Sequence, residues 1–135
     1  MKIQSTIKVL KNFTSWILCK FKNRLFFDQW QLFFSFDNNL NFKDFIKVIP
    51  PKDRFWADPF VLNFKNKFYV FYEELIYNEN KGHISCFEID KDGNISNFQT
   101  VLKKEYHLSY PFIIEHNKTF YMIPETGENN RIELY

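Results

Sequence analysis

The sequence predicts an all-β fold, an incomplete propeller or related β-array, and three observations lead there. First, the chain repeats itself once at an offset of 52 residues, the step from Pro59 to Pro111. Asp58-Pro59-Phe60-Val61-Leu62 and Lys67-Phe68-Tyr69-Val70-Phe71-Tyr72-Glu73 align with Tyr110-Pro111-Phe112-Ile113-Ile114 and Thr119-Phe120-Tyr121-Met122-Ile123-Pro124-Glu125. Pro59/Pro111, Phe60/Phe112, Phe68/Phe120, Tyr69/Tyr121 and Glu73/Glu125 are identical pairs, without a gap. A period of about 50 residues made of short strands marks arrays in which one unit cannot bury its apolar faces alone. Second, aromatic residues make up 21% of the 135 positions, 18 of them Phe. So many rings suit stacked sheets covered on both faces better than a helical bundle of this size. Third, turn residues punctuate short apolar runs from residue 29 onward.

The elements follow in order. Residues 3–25 set Ile3, Ile7, Leu10, Thr14, Ile17, Phe21 and Leu25 at steps of three and four, the stripe of an amphipathic helix, with Lys8, Lys11, Lys20 and Lys22 largely off it. This segment, residues 1–27, reads either as a linker helix packed on a domain or as a basic helix lying on an anionic membrane surface. Strands are expected at Gln29–Phe36 and Phe45–Ile49, the second closed by Pro50-Pro51. Pro59–Phe64 and Phe68–Glu73 form a hairpin around Lys65-Asn66. Gly82–Asp90 alternates after the polar loop Tyr77–Lys81. Lys91-Asp92-Gly93-Asn94 is a hairpin turn because Gly and Asn tolerate positive φ, and Phe98–Lys103 follows it. These four strands make one blade, about residues 55–105. The second unit, about 106–135, offers Tyr110–Glu115, Thr119–Ile123 and Arg131–Tyr135. Phe68–Tyr72 is apolar throughout rather than alternating, so both of its faces should be covered.

Composition narrows the function. Net charge is +2, but six Lys or Arg residues precede the first acid, Asp28. Residues 28–135 therefore hold 12 basic and 16 acidic side chains, a balance that argues against nucleic acid as a partner. Cys19 and Cys86 form neither a disulfide framework nor a metal spacing. No apolar run reaches the length of a membrane span, and the N-terminus lacks a signal peptide's cleavage site. The default location is cytoplasmic, with peripheral membrane contact through the N-terminal helix as the variant. Asn-x-Ser/Thr triplets at Asn12, Asn94 and Asn117 read as chance in so Asn-rich a chain. No Gly-rich phosphate loop, nucleophile elbow or zinc spacing occurs, so no cofactor is expected.

Several runs carry a family resemblance. They are Pro50-Pro51-Lys52-Asp53-Arg54-Phe55-Trp56-Ala57-Asp58-Pro59-Phe60-Val61, Phe71-Tyr72-Glu73-Glu74 and Lys81-Gly82-His83-Ile84-Ser85, then Tyr106-His107-Leu108-Ser109-Tyr110-Pro111-Phe112 and Tyr121-Met122-Ile123-Pro124-Glu125-Thr126. Over about residues 28–135 the chain resembles the N-terminal domain family of glucosamine inositolphosphorylceramide transferase, which also occurs in bacterial proteins, sometimes beside formyltransferase-like domains. That domain is in turn similar to the five-bladed propellers of arabinanases, levansucrases and invertases, a likeness of fold rather than of function.

The resemblance implies a site. In those glycosidases an Asp at the start of an inner strand faces the central funnel as nucleophile or general base, and Asp58 matches it by position. Such chemistry needs two carboxylates, about 5 Å apart for retention and about 6.5–9.5 Å for inversion. Glu73 and its repeat Glu125 are the further catalytic candidates. Trp56, Glu74, His107, Ser109 and Tyr110 are the substrate-binding candidates, since rings stack on a sugar face and acids and hydroxyls bond its hydroxyls. Plainer readings stand beside these. Asp58 before Pro59 fits a turn start, Glu73 and Glu125 fit solvated strand ends, and His107 fits a hydrogen-bonded structural residue.

Length sets the last expectation. A five-bladed ring needs roughly twice this chain at about 50 residues a blade, so the sequence reads as an open fragment of about two four-stranded blades. It is expected not to catalyse alone, and to self-associate or pair with a missing C-terminal half. Its ligand class is a glycan or glycolipid. The alternative is a non-catalytic interaction scaffold or a degenerate remnant.

Overall fold

The structure is a computed structural model that describes residues 28–37 and 41–135. The helix expected within residues 1–27 lies outside the described residues. Among the described residues there are eight strands and two short 3-10 turns, and no helix is long and apolar enough to cross a membrane.

The centre is a four-stranded antiparallel meander of β3 (Arg54–Phe64), β4 (Lys67–Ile76), β5 (Lys81–Ile89) and β6 (Ile95–Leu102). β3 and β4 meet at Lys65 and Asn66, both left-handed at φ 51 and 62. That is the primed turn whose twist matches the flanking strands. Between β5 and β6 the Asp90 carboxylate accepts the backbone N–H groups of Asp92 and Asn94, each at 2.9 Å, and Gly93 takes φ 84. An Asp followed by a left-handed Gly closes a tight reversal without strain.

A shorter pair lies on each face of this meander. β1 (Leu32–Phe34) and β2 (Ile46–Val48) bring Leu32 and Val48 onto Trp56, Val70, Tyr72, Phe87 and Ile89. On the opposite face, β7 (Ser109–His116) and β8 (Thr119–Glu125) pack Ile113 and Met122, with Leu108 just before β7, against Ile84, Phe60, Leu62 and Phe71. Alternate residues of β4 therefore enter two different cores, which is why its sequence is apolar at successive positions.

The sequence repeat reappears in the backbone. β7 and β8 reverse at Asn117 and Lys118, at φ 51 and 63, the same primed turn as Lys65-Asn66. β3 carries a bulge between Ala57 and Phe60, and β7 carries one between Ser109 and Phe112. Tyr135 exchanges two backbone hydrogen bonds with Met122, both 2.9 Å, as the partner that Val70 finds in Phe87 of β5.

Some expected bounds shift. β3 extends back to Arg54, because the bulge lets the ladder resume on the other side of Asp58-Pro59. β1 and β2 are three residues each, shorter than the runs that suggested them. Arg131–Tyr135 is not a strand: Thr126 Oγ1 donates to the Arg131 carbonyl, Asn129 Nδ2 donates to Glu133 at 3.0 Å, and Asn130 is left-handed. These local bonds hold the backbone in a loop until Tyr135 reaches the ladder.

Candidate functional site

The two bulges build the site. Ala57 pairs with Glu73 across β3 and β4; the next residue, Asp58, turns left-handed at φ 48 before Pro59. In the second unit Ser109 pairs with Glu125, and Tyr110 sits at φ 47 before Pro111. A non-glycine residue there costs on the order of 1 kcal/mol, and Asp bears it more easily than Tyr. Strain repeated at matched positions is a reason to look for function there.

Asp58 shares a side-chain hydrogen bond with Glu73. Glu73 is only 6% exposed, so ionising it is costly. Burial, then the hydrogen bond and negative charge of Asp58, then the charge of Glu125, push its carboxyl up to about 8. At neutral pH Glu73 is thus the protonated member of the pair and donates to Asp58. On its other side, Glu73 Oε1 lies 3.2 Å from His107 Nε2. His107 Nδ1 accepts the Gly82 N–H at 3.0 Å, and the His107 N–H donates to Glu128 at 3.1 Å. Ser109 Oγ donates to Glu125 at 3.2 Å.

Gly82 is what allows these groups to converge. A Cβ on it would lie 2.6 Å from the Leu108 carbonyl oxygen, 2.8 Å from Glu73 Oε1 and 2.9 Å from His107 Cε1. The Gly82 carbonyl also accepts the Leu108 N–H at 2.9 Å, fastening the segment before β7 to the start of β5.

Glu74 belongs to the other face. Its Oε1 accepts Arg54 Nη1 at 2.9 Å and Trp56 Nε1 at 3.0 Å, while its Oε2 accepts Ser85 Oγ at 2.6 Å and lies 3.1 Å from His83 Nε2. Burial alone would raise this carboxyl, but the hydrogen bonds from His83, Ser85, Arg54 and Trp56 together hold it far below the usual carboxylate range. Trp56 is buried beside it against Tyr72, and Phe98 stacks on the indole at 5.6 Å. Pro51, Arg54, Trp56, Tyr72, Glu74 and Phe98 border an open cleft of about 640 Å³.

The structure thus divides the sequence candidates. Glu73 joins Asp58 on one side and His107 on the other, with the Ser109–Glu125 pair nearby. Trp56 and Glu74 lie on the opposite face of the sheet. Tyr110 turns its ring outward, 62% exposed, and Glu125 is exposed. Gly82, Arg54, His83 and Ser85 lie in the runs that carry the family resemblance but were not among the site candidates. The alternation of His83 and Ser85 within a strand was the available signal, since it sets two polar side chains on one face. Among the described residues no group of His, Cys, Asp and Glu is placed to hold a metal ion.

The profile of the family described as glucosamine inositolphosphorylceramide transferase 1, N-terminal, matches residues 45–135. Among curated proteins, the chain is similar to glucosamine inositolphosphorylceramide transferase 1 of Arabidopsis thaliana, at 33% identity over 82 residues, which is 60% of this chain and 11% of the relative. The proteins of the same name from Oryza sativa subsp. indica and subsp. japonica are each 28% identical over 82 residues, with the same shares. The match therefore spans only 11% of the length of these curated relatives. No solved structure matches the chain.

Proposed function

The chain belongs to the glucosamine inositolphosphorylceramide transferase 1 N-terminal family, and from that premise we propose that it is a carbohydrate-directed β-propeller segment of a glycosyltransferase-related protein. In this reading each hairpin with its bulge is the inner part of a blade, and the left-handed residue marks the blade edge nearest the hub. Support comes from the matched bulges, the matched primed turns and the face-to-face packing of the two units. The name of these relatives contains a sugar and a sphingolipid, so the ligand class is a glycan or glycolipid.

One observation supports the site reading above the others. A carboxyl pair, Asp58 and Glu73, sits at a strained bulge with the exposed ring of Tyr110 at the equivalent bulge of the next unit. A carboxylate that accepts sugar hydroxyls beside a ring that stacks on a pyranose face is the chemistry of carbohydrate recognition. Ser109 and Glu125 extend the polar rim. The pair also bears on catalysis. Carboxyls that bond each other directly leave no gap of 5 Å or more for a scissile bond between them, as glycosidase chemistry requires. The reading is therefore recognition by this chain, with any cleavage or transfer depending on groups outside it.

Saturation-transfer NMR against a panel of neutral and amino-sugar glycans tests this. The expected result is a signal on at least one sugar that disappears in Asp58→Asn and in Tyr110→Ala while both variants remain folded. Absence of any signal, or a signal indifferent to both substitutions, removes the proposal.

A further inference from the structure

We propose that His107 is a positioning residue that holds the Asp58–Glu73 pair in one orientation, through a one-directional chain of hydrogen bonds that starts at the Gly82 amide. This rests on the reading that the pair faces the ligand. The argument is one of donors and acceptors. A backbone N–H can only donate, so the Gly82 N–H at 3.0 Å requires a bare lone pair on His107 Nδ1. The ring proton then sits on Nε2, 3.2 Å from Glu73 Oε1, so the ring presents a donor to that oxygen. With Oε1 facing that donor, Glu73 also shares a side-chain hydrogen bond with Asp58.

Nδ1 is taken by the Gly82 amide and Nε2 carries the proton, so the neutral ring has no free lone pair with which to accept a sugar's proton or bind a metal. Three features make this a built arrangement. Gly82 leaves no room for a Cβ between Glu73 and His107. The His107 backbone is itself fixed by Glu128 at 3.1 Å. The Leu108 N–H, one residue on, is fastened to the Gly82 carbonyl at 2.9 Å. The charged and titratable groups around Glu73 are Asp58 from β3, Glu125 from β8 and His107 from the segment before β7, with Glu128 behind His107.

The test uses the whole 135-residue chain without sugar. Long-range ¹⁵N–¹H spectra of ring-labelled protein at pH 7, assigned with His107→Asn, should show His107 as a neutral ring protonated on Nε2. A ring protonated on Nδ1, an imidazolium or an averaged signal overturns the proposal. The side-chain ¹³C titration of Glu73 supplies the second readout. Gln at 107 restores a donor near the Nε2 position, whereas Asn restores only an acceptor near Nδ1. Donation to a carboxylate favours its charged form, so His107→Asn should move the Glu73 midpoint upward by about one pH unit, with His107→Gln staying near wild type. Equal shifts in both variants, or none in either, contradict the role; if one variant fails to fold, the wild-type tautomer still decides. Since none of this involves sugar, failure here leaves the glycan experiment standing, and a silent glycan panel leaves this result standing.

Discussion

Glu73 and Glu74 are neighbours in sequence with opposite proton affinities, because a strand sends successive side chains to opposite faces. Glu73 is buried and, beyond that, faces two other acids, so its carboxyl rises from 4.5 to about 8. Glu74 receives four donors and is held far below 4.5. These shifts are statements about stability. The folded state holds the Glu73 proton more tightly than the unfolded chain does. Its contribution is complete below pH 4.5 and is lost as pH rises through about 8. Glu74 contributes above pH 4.5, and that contribution is lost as pH falls further. Together they predict a stability maximum near pH 5 with a decline toward pH 9, measurable as the thermal midpoint across that range. Glu73→Gln keeps an acceptor and a neutral donor, so it should flatten the alkaline limb. Glu74→Gln turns an amide toward existing donors and should cost about 3 kcal/mol near neutrality in urea titrations. A wild-type profile that is flat from pH 5 to pH 9 would remove the proton assignment for Glu73. Sequence brought Asp58, Glu73 and His107 to attention through the repeat and the family motifs. It grouped Glu74 and Trp56 with them because adjacency along a chain says nothing about which face of a sheet a residue takes until the pairing is known.

At the scale of elements, a glycine decides how closely β5 can approach the segment before β7. Gly82→Ala would set a methyl group 2.6 Å from a backbone oxygen, which cannot swing aside as a side chain can. The expected cost is about 2 kcal/mol or more, with the Leu108 amide losing hydrogen-exchange protection as the segment backs away. Gly93→Ala is the contrast: its nearest contacts are 3.5 Å and 3.8 Å from flexible ring and methyl atoms, and only its φ of 84 opposes the change. That variant should cost about 1 kcal/mol and leave Leu108 protected. Equal losses at both positions would mean that the segment before β7 yields to the methyl group, and that close approach does not govern Gly82. The four-stranded meander was legible because its punctuation is chemical: Lys65-Asn66 and Asp92-Gly93-Asn94 are turn residues with a mechanism. The start of β3 was not legible. Asp58-Pro59 breaks the alternation, and only the ladder shows that pairing resumes at Ala57 and continues to Arg54. The loop through Asn129 and Asn130 was also missed, because side chains bonding nearby backbone displaced the strand that the apolar residues suggested.

For the whole molecule, the two units should unfold as one. A two-stranded pair such as β7–β8 or β1–β2 is marginal alone, and each draws its stability from the meander it covers. The contact is specific. Leu108 is fully buried between the units, Phe60 meets its own repeat partner Phe112 edge-on at 5.6 Å, and Phe64 meets Phe120 at 5.2 Å. Leu108→Ala deletes the side chain at the centre of that contact and should cost about 2–5 kcal/mol. If the units are thermodynamically coupled, the loss will appear equally in the exchange of β5 amides and of β8 amides, although Leu108 belongs to neither strand. If they are merely adjacent, β8 amides will exchange faster while those facing Trp56 and Tyr72 keep their protection, and a separate early transition will appear on heating. Coupling is the expected outcome because β4 supplies both cores: Phe71 packs with Leu108, while Val70 and Tyr72 pack with Trp56. Loosening one face of a strand that is buried on both sides releases the backbone that holds the other.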